Sequence, residues 1–342
     1  MIRLSSYNIV VVGPSTLVGE ALLNLLEERD FPVAQIYAAS DEGGGRVTFR
    51  DKGVRVEALD SFDFAKAEIA FFCVDEEIAE QYVPRATAAG CVVIDDSPAF
   101  RLENDVPLVV PEVNPERLND YRQQSIIANP SSCALMLATV LKPLQRAVGI
   151  DRVNVVTLQA ASGKDRPGVE ELAGQATAMF NMKPVEHKVF PAQIAFNLIP
   201  QIGSFFDDGS TREEMKLRWE TQKLLDDDAL KINATAVRVS VFHGHAMAVH
   251  IELAGELDSE AALLLLQAAP GIEVVDELED GGYPTPAVDA VGQDTIFVGR
   301  IRKDTSNPLG LNLWVVADNI RKGAALNSIQ IAEILIKEYL QQ

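Results

Sequence analysis

Residues 125–137, S-I-I-A-N-P-S-S-C-A-L-M-L, decide the fold. The β-branched pair Ile126 and Ile127 breaks at Asn129-Pro130, and Ser131 or Ser132 then caps a helical pattern carrying Ala134, Leu135, Leu137, Val140 and Leu141. A strand, a tight turn and a helix N-terminus follow one another. Such a junction offers free backbone N–H groups and a partial positive charge, which hold a nucleophile rigidly and favour its ionised form. Here the candidates are Ser132 and Cys133.

Upstream the pattern is that of a doubly wound α/β domain. Residues 8–12 (N-I-V-V-V) are a short continuous apolar run, as in a buried parallel strand. Gly13-Pro14-Ser15-Thr16-Leu17-Val18-Gly19 and a leucine-rich helix come next, the first unit of a dinucleotide-binding fold. Further buried strands are expected at residues 34–38, 68–74 and 91–95. Downstream the strands at 151–160, 232–241 and 246–253 alternate, which suggests an antiparallel sheet with one covered face. Helical patterns at 167–180, 212–225 and 259–268 between them make this part α+β. Two more strands, 295–302 and 311–317, precede a long amphipathic helix at 321–340.

Length and charge bound the possibilities. A chain of 342 residues exceeds what one core usually serves, so two domains are expected. The net charge of −20 excludes a nucleic-acid backbone or an anionic membrane surface as a partner, because both need a basic face; a local anion site remains compatible with it. Residues 1–7 are polar and leave no room for a signal peptide, and no later run reaches the length of a membrane span. Cys73, Cys91 and Cys133 are an odd number without close pairing, which suits a reducing cytoplasm. No Cys-x-x-Cys or His-x-x-x-His spacing appears, so no metal site is expected. His243 and His245 are placed on one face of a strand, one structural and one catalytic.

The turn at residues 129–132 resembles the active-site turn of the aspartate-semialdehyde dehydrogenase family, whose pattern is Asn-Pro-Asn-Cys with a Leu-x-Pro further along the helix. Leu141-Lys142-Pro143 keeps the register, so the family's catalytic cysteine falls on Ser132, and Cys133 is one residue late. Asp96-Ser97-Pro98-Ala99-Phe100-Arg101, residues 107–114 and Asp318-Asn319-x-x-Lys322-Gly323-Ala324-Ala325-x-Asn327-Ser328-x-Gln330 also match.

The resemblance implies a Rossmann-type domain at residues 1–131, completed by a helix at 321–342, and a catalytic and dimerisation domain at 132–320 with a mixed or antiparallel sheet. It also implies a homodimer. It places substrate positioning on Gln159, substrate and phosphate contacts on Glu213 and Lys216, a carboxylate grip on Arg238, a general acid/base on His245 and an anion contact on Arg101. It places the cofactor on Gly13, Ser15, Thr16, Leu17, Val18, Gly19, Ser40, Asp41, Ser162, Gly163, Asn319 and Gln330.

Departures from the family pattern gather on the cofactor side. Thr16 replaces a middle glycine and narrows the approach of a pyrophosphate. Asp41 replaces a basic clamp, which favours NAD over NADP and weak binding. Asp75-Glu76-Glu77 stand where the family has glycines, either as charges near the cofactor or as first-turn residues of a helix. Lys164 and Asp165 replace small residues. Together with Ser132 these departures resemble a Usg-like branch. The reading they favour is a homologue that has lost the dehydrogenase reaction and binds a small acidic ligand, phosphate or a partner protein. The alternative is an NAD-dependent aldehyde oxidoreductase of amino-acid biosynthesis using Ser132 or Cys133.

Overall fold

The computed structural model describes residues 6–340. The polar N-terminus falls in large part on residues 1–5, and the end of the C-terminal helix on 341–342; both lie outside the described residues. The chain forms two compact units, residues 1–131 with 324–342, and residues 132–323.

In the first unit, strands β1 (Tyr7–Val12), β2 (Val33–Ser40), β3 (Arg46–Phe49), β4 (Lys52–Ala58), β5 (Ile69–Phe72), β6 (Val92–Asp95) and β7 (Ile126–Ala128) form a sheet in the order β3-β4-β2-β1-β5-β6-β7. All neighbours pair in parallel except β3 and β4, an antiparallel hairpin. Strands β5 to β7 are buried throughout, which is why they read as continuous apolar runs. Helices α1 (Leu17–Glu28) and α2 (Glu76–Ala88) follow β1 and β5.

Gly13 has φ +77°, and a Cβ on it would lie 2.3 Å from the Cys73 carbonyl; one on Gly19 would lie 2.2 Å from the Gly13 carbonyl. Both glycines are therefore demanded by the close approach of strand, turn and helix.

The second unit contains α3 (Ser132–Val148), β8 (Ile150–Gln159), α4 (Asp165–Phe180), β9 (Leu198–Ile199), α5 (Arg212–Leu225), β10 (Lys231–Val239), β11 (His245–Leu253), α6 (Ser259–Gln267), β12 (Ile272–Val274), β13 (Ile296–Lys303) and β14 (Gly310–Ala317). Its sheet order is β12-β13-β14-β11-β8-β10-β9. The sheet is mixed: β8 and β10 run parallel, as do β12 and β13, so the expectation of a wholly antiparallel sheet at 151–160 and 232–241 is corrected. The whole of α4 and α5 lies between β8 and β10, long enough for a parallel crossover. Along β8, Val153, Val155, Thr157 and Gln159 are buried, whereas Val156 on the opposite face is exposed.

The chain returns to the first unit through α7 (Leu326–Ile334), with wide i→i+5 turns at Arg321–Ala325 and Leu335–Tyr339 on either side. This helix is not the amphipathic one expected. Residues 322–329 are buried on every side, with Ile329, Ile331 and Leu335 packed among Ile9, Leu22, Phe71 and Ile94. It is a core element of the first unit.

Candidate active site

In the second unit the site grows from the ends of four elements. Gln159 ends β8, Glu213 and Lys216 sit on the first turn of α5, Arg238 is near the end of β10, and His245 opens β11. Gln159 Nε2 donates to Glu213 Oε1 at 3.0 Å, and Lys216 Nζ lies 2.9 Å from Glu213 Oε2. Burial alone would raise the Glu213 carboxyl, but Lys216, Gln159 and Arg238 bring it down to about 2.

The Arg238 guanidinium is buried, donates from Nη1 to the Ala160 carbonyl at 2.7 Å, and lies 6.0 Å from the Phe190 ring centroid. Gly163 covers it so closely that a Cβ there would sit 2.4 Å from Nη1. A cavity of about 330 Å³ opens beside Arg238, lined also by Lys164, Lys188, Phe190, Gln201 and Gly203.

His245 is fixed from both sides of the chain. The Ala160 N–H donates to its Nδ1 at 3.2 Å, so the ring proton resides on Nε2. Burial, with Arg238 adding to it, pulls the imidazole down to about 3 and keeps it neutral. Gly244, at φ +87°, turns the chain just before it, and the Gly244 N–H donates to Asn319 Oδ1 at 2.9 Å. That turn takes His243 off the strand, which corrects the placement of both histidines on one strand face.

Ser132 is the first residue of α3 and half-buried. A Cβ on Gly323 would lie 2.6 Å from Ser132 Cβ, so this glycine makes room for the serine. Cys133 points the other way, as the roughly 100° step between helical neighbours requires. It is 1% exposed, and burial followed by the charge of Glu213 pushes its thiol well above the ordinary value. Arg238 and Lys216 also act on it, which sets the start of α3 within the field of the charged cluster. Ser162 and Asn319 are buried and hydrogen-bonded to each other at 3.1 Å.

The first unit carries the glycine turn and the carboxyl ends of its strands. Thr16 is the N-cap of α1: its Oγ1 accepts from Gly19 N at 3.0 Å and donates to the Gly13 carbonyl at 2.9 Å. Its hydroxyl is thus engaged within the turn. Ser15 is exposed, and Leu17 and Val18 are half-buried in the first turn. Ser40 Oγ accepts from Gly43 N at 3.2 Å, and Asp41 is exposed.

Asp75 is the N-cap of α2, accepting from Ile78 N at 3.1 Å, with Glu76 and Glu77 in the first turn; of the two readings of these carboxylates, the helix-stabilising one describes them. Arg101 is no surface residue: it is 6% exposed and donates from Nη2 to the Asp96 carbonyl at 2.6 Å. Asp95 beside it is raised to about 6 by burial, against the lowering effect of Ser97 and Arg101. Gln330 Nε2 donates to Glu112 Oε1 at 3.2 Å.

Sequence reasoning missed Ala160, whose N–H and carbonyl hold His245 and Arg238, and Phe190. A main-chain role leaves no trace in residue type. Among the described residues no group of three or more His, Cys, Asp and Glu is placed to hold a metal ion, and no helix is long and apolar enough to cross a membrane.

Residues 8–121 match the family described as semialdehyde dehydrogenase, NAD binding domain, and residues 141–322 the semialdehyde dehydrogenase, dimerisation domain. An aspartate-semialdehyde dehydrogenase of Shewanella violacea is 48% identical over 335 residues, covering 97% of this chain and 98% of that protein. The crystal structure of aspartate semialdehyde dehydrogenase II from Vibrio cholerae complexed with ASA has a TM-score of 0.95 at 45% identity, covering 98% of this chain and 99% of that one. The Candida albicans enzyme with NADP has a TM-score of 0.75 at 25% identity, covering 97% and 98%.

These findings overturn the expectation of a homologue that has lost the dehydrogenase reaction. Relatives this similar over nearly the whole length carry the name of the enzyme. Two of the departures behind that expectation, Thr16 and Asp75, cap helices. With both halves matched in order, and at this identity over 97% of its length, the chain belongs to the aspartate-semialdehyde dehydrogenase family.

Proposed function

We propose that this chain oxidises aspartate semialdehyde, or an acidic semialdehyde of that kind, with a nicotinamide cofactor, and that Ser132 is the residue that meets the carbonyl carbon. The observation that carries this reading is the meeting of two bonded groups, Gln159–Glu213–Lys216 and Arg238–Ala160–His245, whose charges act on one another and on Cys133 at the start of α3. Arg238, locked by the Ala160 carbonyl and Phe190, takes the substrate carboxylate. His245 Nε2–H donates to the aldehyde oxygen as negative charge develops there. Ser132 Oγ adds to the carbonyl carbon at the helix N-terminus, and its hydroxyl proton ends on the former aldehyde oxygen, so that the adduct is a neutral hemiacetal.

The glycine turn of the first unit fits a dinucleotide pyrophosphate, since both of its glycines are sterically required. Bound there, a nicotinamide supplies the hydride acceptor. Asp41 accepts hydrogen bonds from a ribose 2′-hydroxyl and repels a 2′-phosphate, which supports NAD over NADP, and the hydroxyl of Thr16 weakens the grip by occupying the Gly19 N–H. Lys216 serves the inorganic phosphate that releases the acyl group, and Arg101 is an anion contact of the first unit.

A homodimer is supported by the match to a dimerisation domain and by exposed Val156, Phe180, Phe196 and Leu198 in the second unit, which a second copy would cover. Buried free cysteines suit a reducing cytoplasm.

The test is reduced-cofactor production from aspartate semialdehyde and phosphate, with NAD and with NADP. Wild type and Cys133→Ser are expected to turn over, Ser132→Ala to be inactive, and Ser132→Cys to be faster by about tenfold or more, because a thiolate needs no base. Loss of activity in Cys133→Ser with retention in Ser132→Ala would overturn the assignment of the nucleophile.

A further inference from the structure

The sheet of the first unit comes apart between β2 and β4, at the end of β2 away from Ser40 and Asp41. Strand β2 pairs with β1 along its whole length, but with β4 only at Ala38–Val56, Ala39–Glu57 and Ser40–Ala58. The earlier half of β2, residues 33–37, and the earlier half of β4, residues 52–55, diverge. Between them lies a cavity of about 440 Å³ walled by residues 33–37 of β2 on one side and by Phe49, Arg50 and residues 52–55 of the hairpin on the other, with Glu57 the one carboxylate on its wall.

The two walls are strand edges without a strand between them. Ile36 is two residues before Ala38, so its main-chain groups point the same way, toward the gap. Its carbonyl accepts from the side-chain amide of Gln35, at 3.3 Å, in place of a neighbouring strand's N–H. The gap is also pre-formed. The hairpin tip, Arg50 and Asp51, has φ +48° and +60°, the geometry of a two-residue I′ turn. It is tied down where Arg50 N donates to Glu27 Oε1 at 2.6 Å and Arg50 Nη2 to the Phe31 carbonyl at 3.1 Å.

The charge of this hairpin is opposite to that of the chain. Arg46, Arg50, Lys52 and Arg55 fall within ten residues of a protein of net charge −20. Arg46 and Arg55 stand directly across from each other in the ladder, an arrangement that costs stability. Among the described residues no carboxylate forms an ion pair with Arg46, Lys52 or Arg55.

We propose that this wedge is a docking site for an extended acidic segment of a partner protein, which enters as a short strand between β2 and β4. Five residues of β2 offer about 16 Å of edge at 3.3 Å per residue, enough for a strand of that length. The main chain of the incoming segment completes both ladders, and the carboxylates on one of its faces meet Arg55 and Arg46, which share a face of the hairpin, whereas Lys52 lies on the other. A small polyanion would satisfy the cations but leave both edges unpaired. That is why the structure favours a peptide.

The test uses the full-length protein and a fluorescein-labelled octapeptide of alternating Glu and Val, followed by fluorescence anisotropy at low salt. Saturable binding is expected, weakened about tenfold in Arg46→Glu/Arg55→Glu, since two attractive contacts on one face become repulsive. Binding should also be lost when alternate peptide nitrogens are methylated and when Lys replaces Glu. Dehydrogenase turnover, unchanged in the double variant, reports that the variant is folded. Three results would each overturn the proposal: no saturable binding, which leaves the cations as protection of an open sheet edge; equal binding of the N-methylated peptide, which means charge alone; or tripolyphosphate displacing the peptide from wild type while binding of the peptide survives the charge reversal.

Discussion

The glycine turn between β1 and α1 and the serine turn that opens α3 are the same kind of junction, and both depart from the family pattern, the first at Thr16 and the second at Ser131 and Ser132. In the first, Thr16 spends its hydroxyl on the helix it begins, accepting from Gly19 N and donating to the Gly13 carbonyl. In the second, Ser132 stands in a space kept open by Gly323, next to the field of Glu213, Arg238 and Lys216. A changed residue matters to chemistry where it is not taken up in a helix cap. At a helix cap it is absorbed.

Closing the space at Ser132 carries the largest expected effect. In Gly323→Ala the new methyl would meet Ser132 Cβ at 2.6 Å, a separation that real side chains do not tolerate, so Ser132 or the main chain at 323 must move. A displacement of this size takes a reacting atom out of attack distance, and turnover is expected to fall about a hundredfold while the cofactor affinity of the first unit stays as it was. Steady-state kinetics beside a cofactor titration of the same variant decides it. Unchanged turnover would mean that Ser132 is not held where the reaction needs it.

Next in size is the buried charge beside it. Arg238→Leu removes the donor of the buried Ala160 carbonyl while Glu213 keeps Lys216 at 2.9 Å, so the loss of stability is expected to be about 1–3 kcal/mol, the cost of a buried acceptor left without its partner. Arg238→Lys keeps the charge without the planar fork, so it is expected to recover most of the stability but little of the substrate affinity. Denaturant unfolding and the KM for the semialdehyde separate these two effects.

His245 gives a pH signature. Its folded value near 3 lies below the ordinary 6.5, so between these limits the unfolded chain binds the extra proton and stability falls as the pH falls. A His245→Gln variant lacks this dependence. The stability difference between wild type and variant should therefore change by about 1.4 kcal/mol per pH unit between pH 6 and 4, to the disadvantage of wild type at the acid end, and be flat above pH 7. Glu213 titrates lower, and in both proteins alike.

Much of this architecture was legible in the sequence, for reasons that differ by element. The apolar runs of β1, β5 and β6 announce a doubly wound sheet because strands buried on both faces cannot alternate. The convergence of Gln159, Glu213, Lys216, Arg238 and His245 could be expected from the register at Ser132, although only coordinates show that Ala160 holds two of them. What misled was polarity without direction. Asp75 and Thr16 read as intrusions on a cofactor because a sequence does not say whether an oxygen faces a ligand or its own helix N–H groups. The C-terminal helix is not the amphipathic one expected because its polar residues Lys322, Asn327 and Ser328 are buried along with its apolar ones.

The smallest effect, and the one that most refines the comparison, is Thr16→Gly. It restores the glycine of the family pattern and deletes an N-cap whose Oγ1 bonds both Gly19 N and the Gly13 carbonyl. Replacing a capping residue by glycine costs only a few tenths of a kcal/mol, because the freed N–H groups become accessible to water. In this turn the same exposure frees the Gly19 N–H, and with no Cβ at residue 16 the backbone can approach a pyrophosphate more closely. The variant is therefore expected to melt slightly lower by itself and to gain more stability than wild type when NAD is added, the gain growing with ligand concentration as binding to the folded state alone requires. A melting series over NAD concentration measures both quantities in one experiment. If Thr16→Gly loses stability and gains no affinity, the hydroxyl supports the cofactor turn, and the absorption of Thr16 into the helix cap is part of the cradle rather than a departure from it.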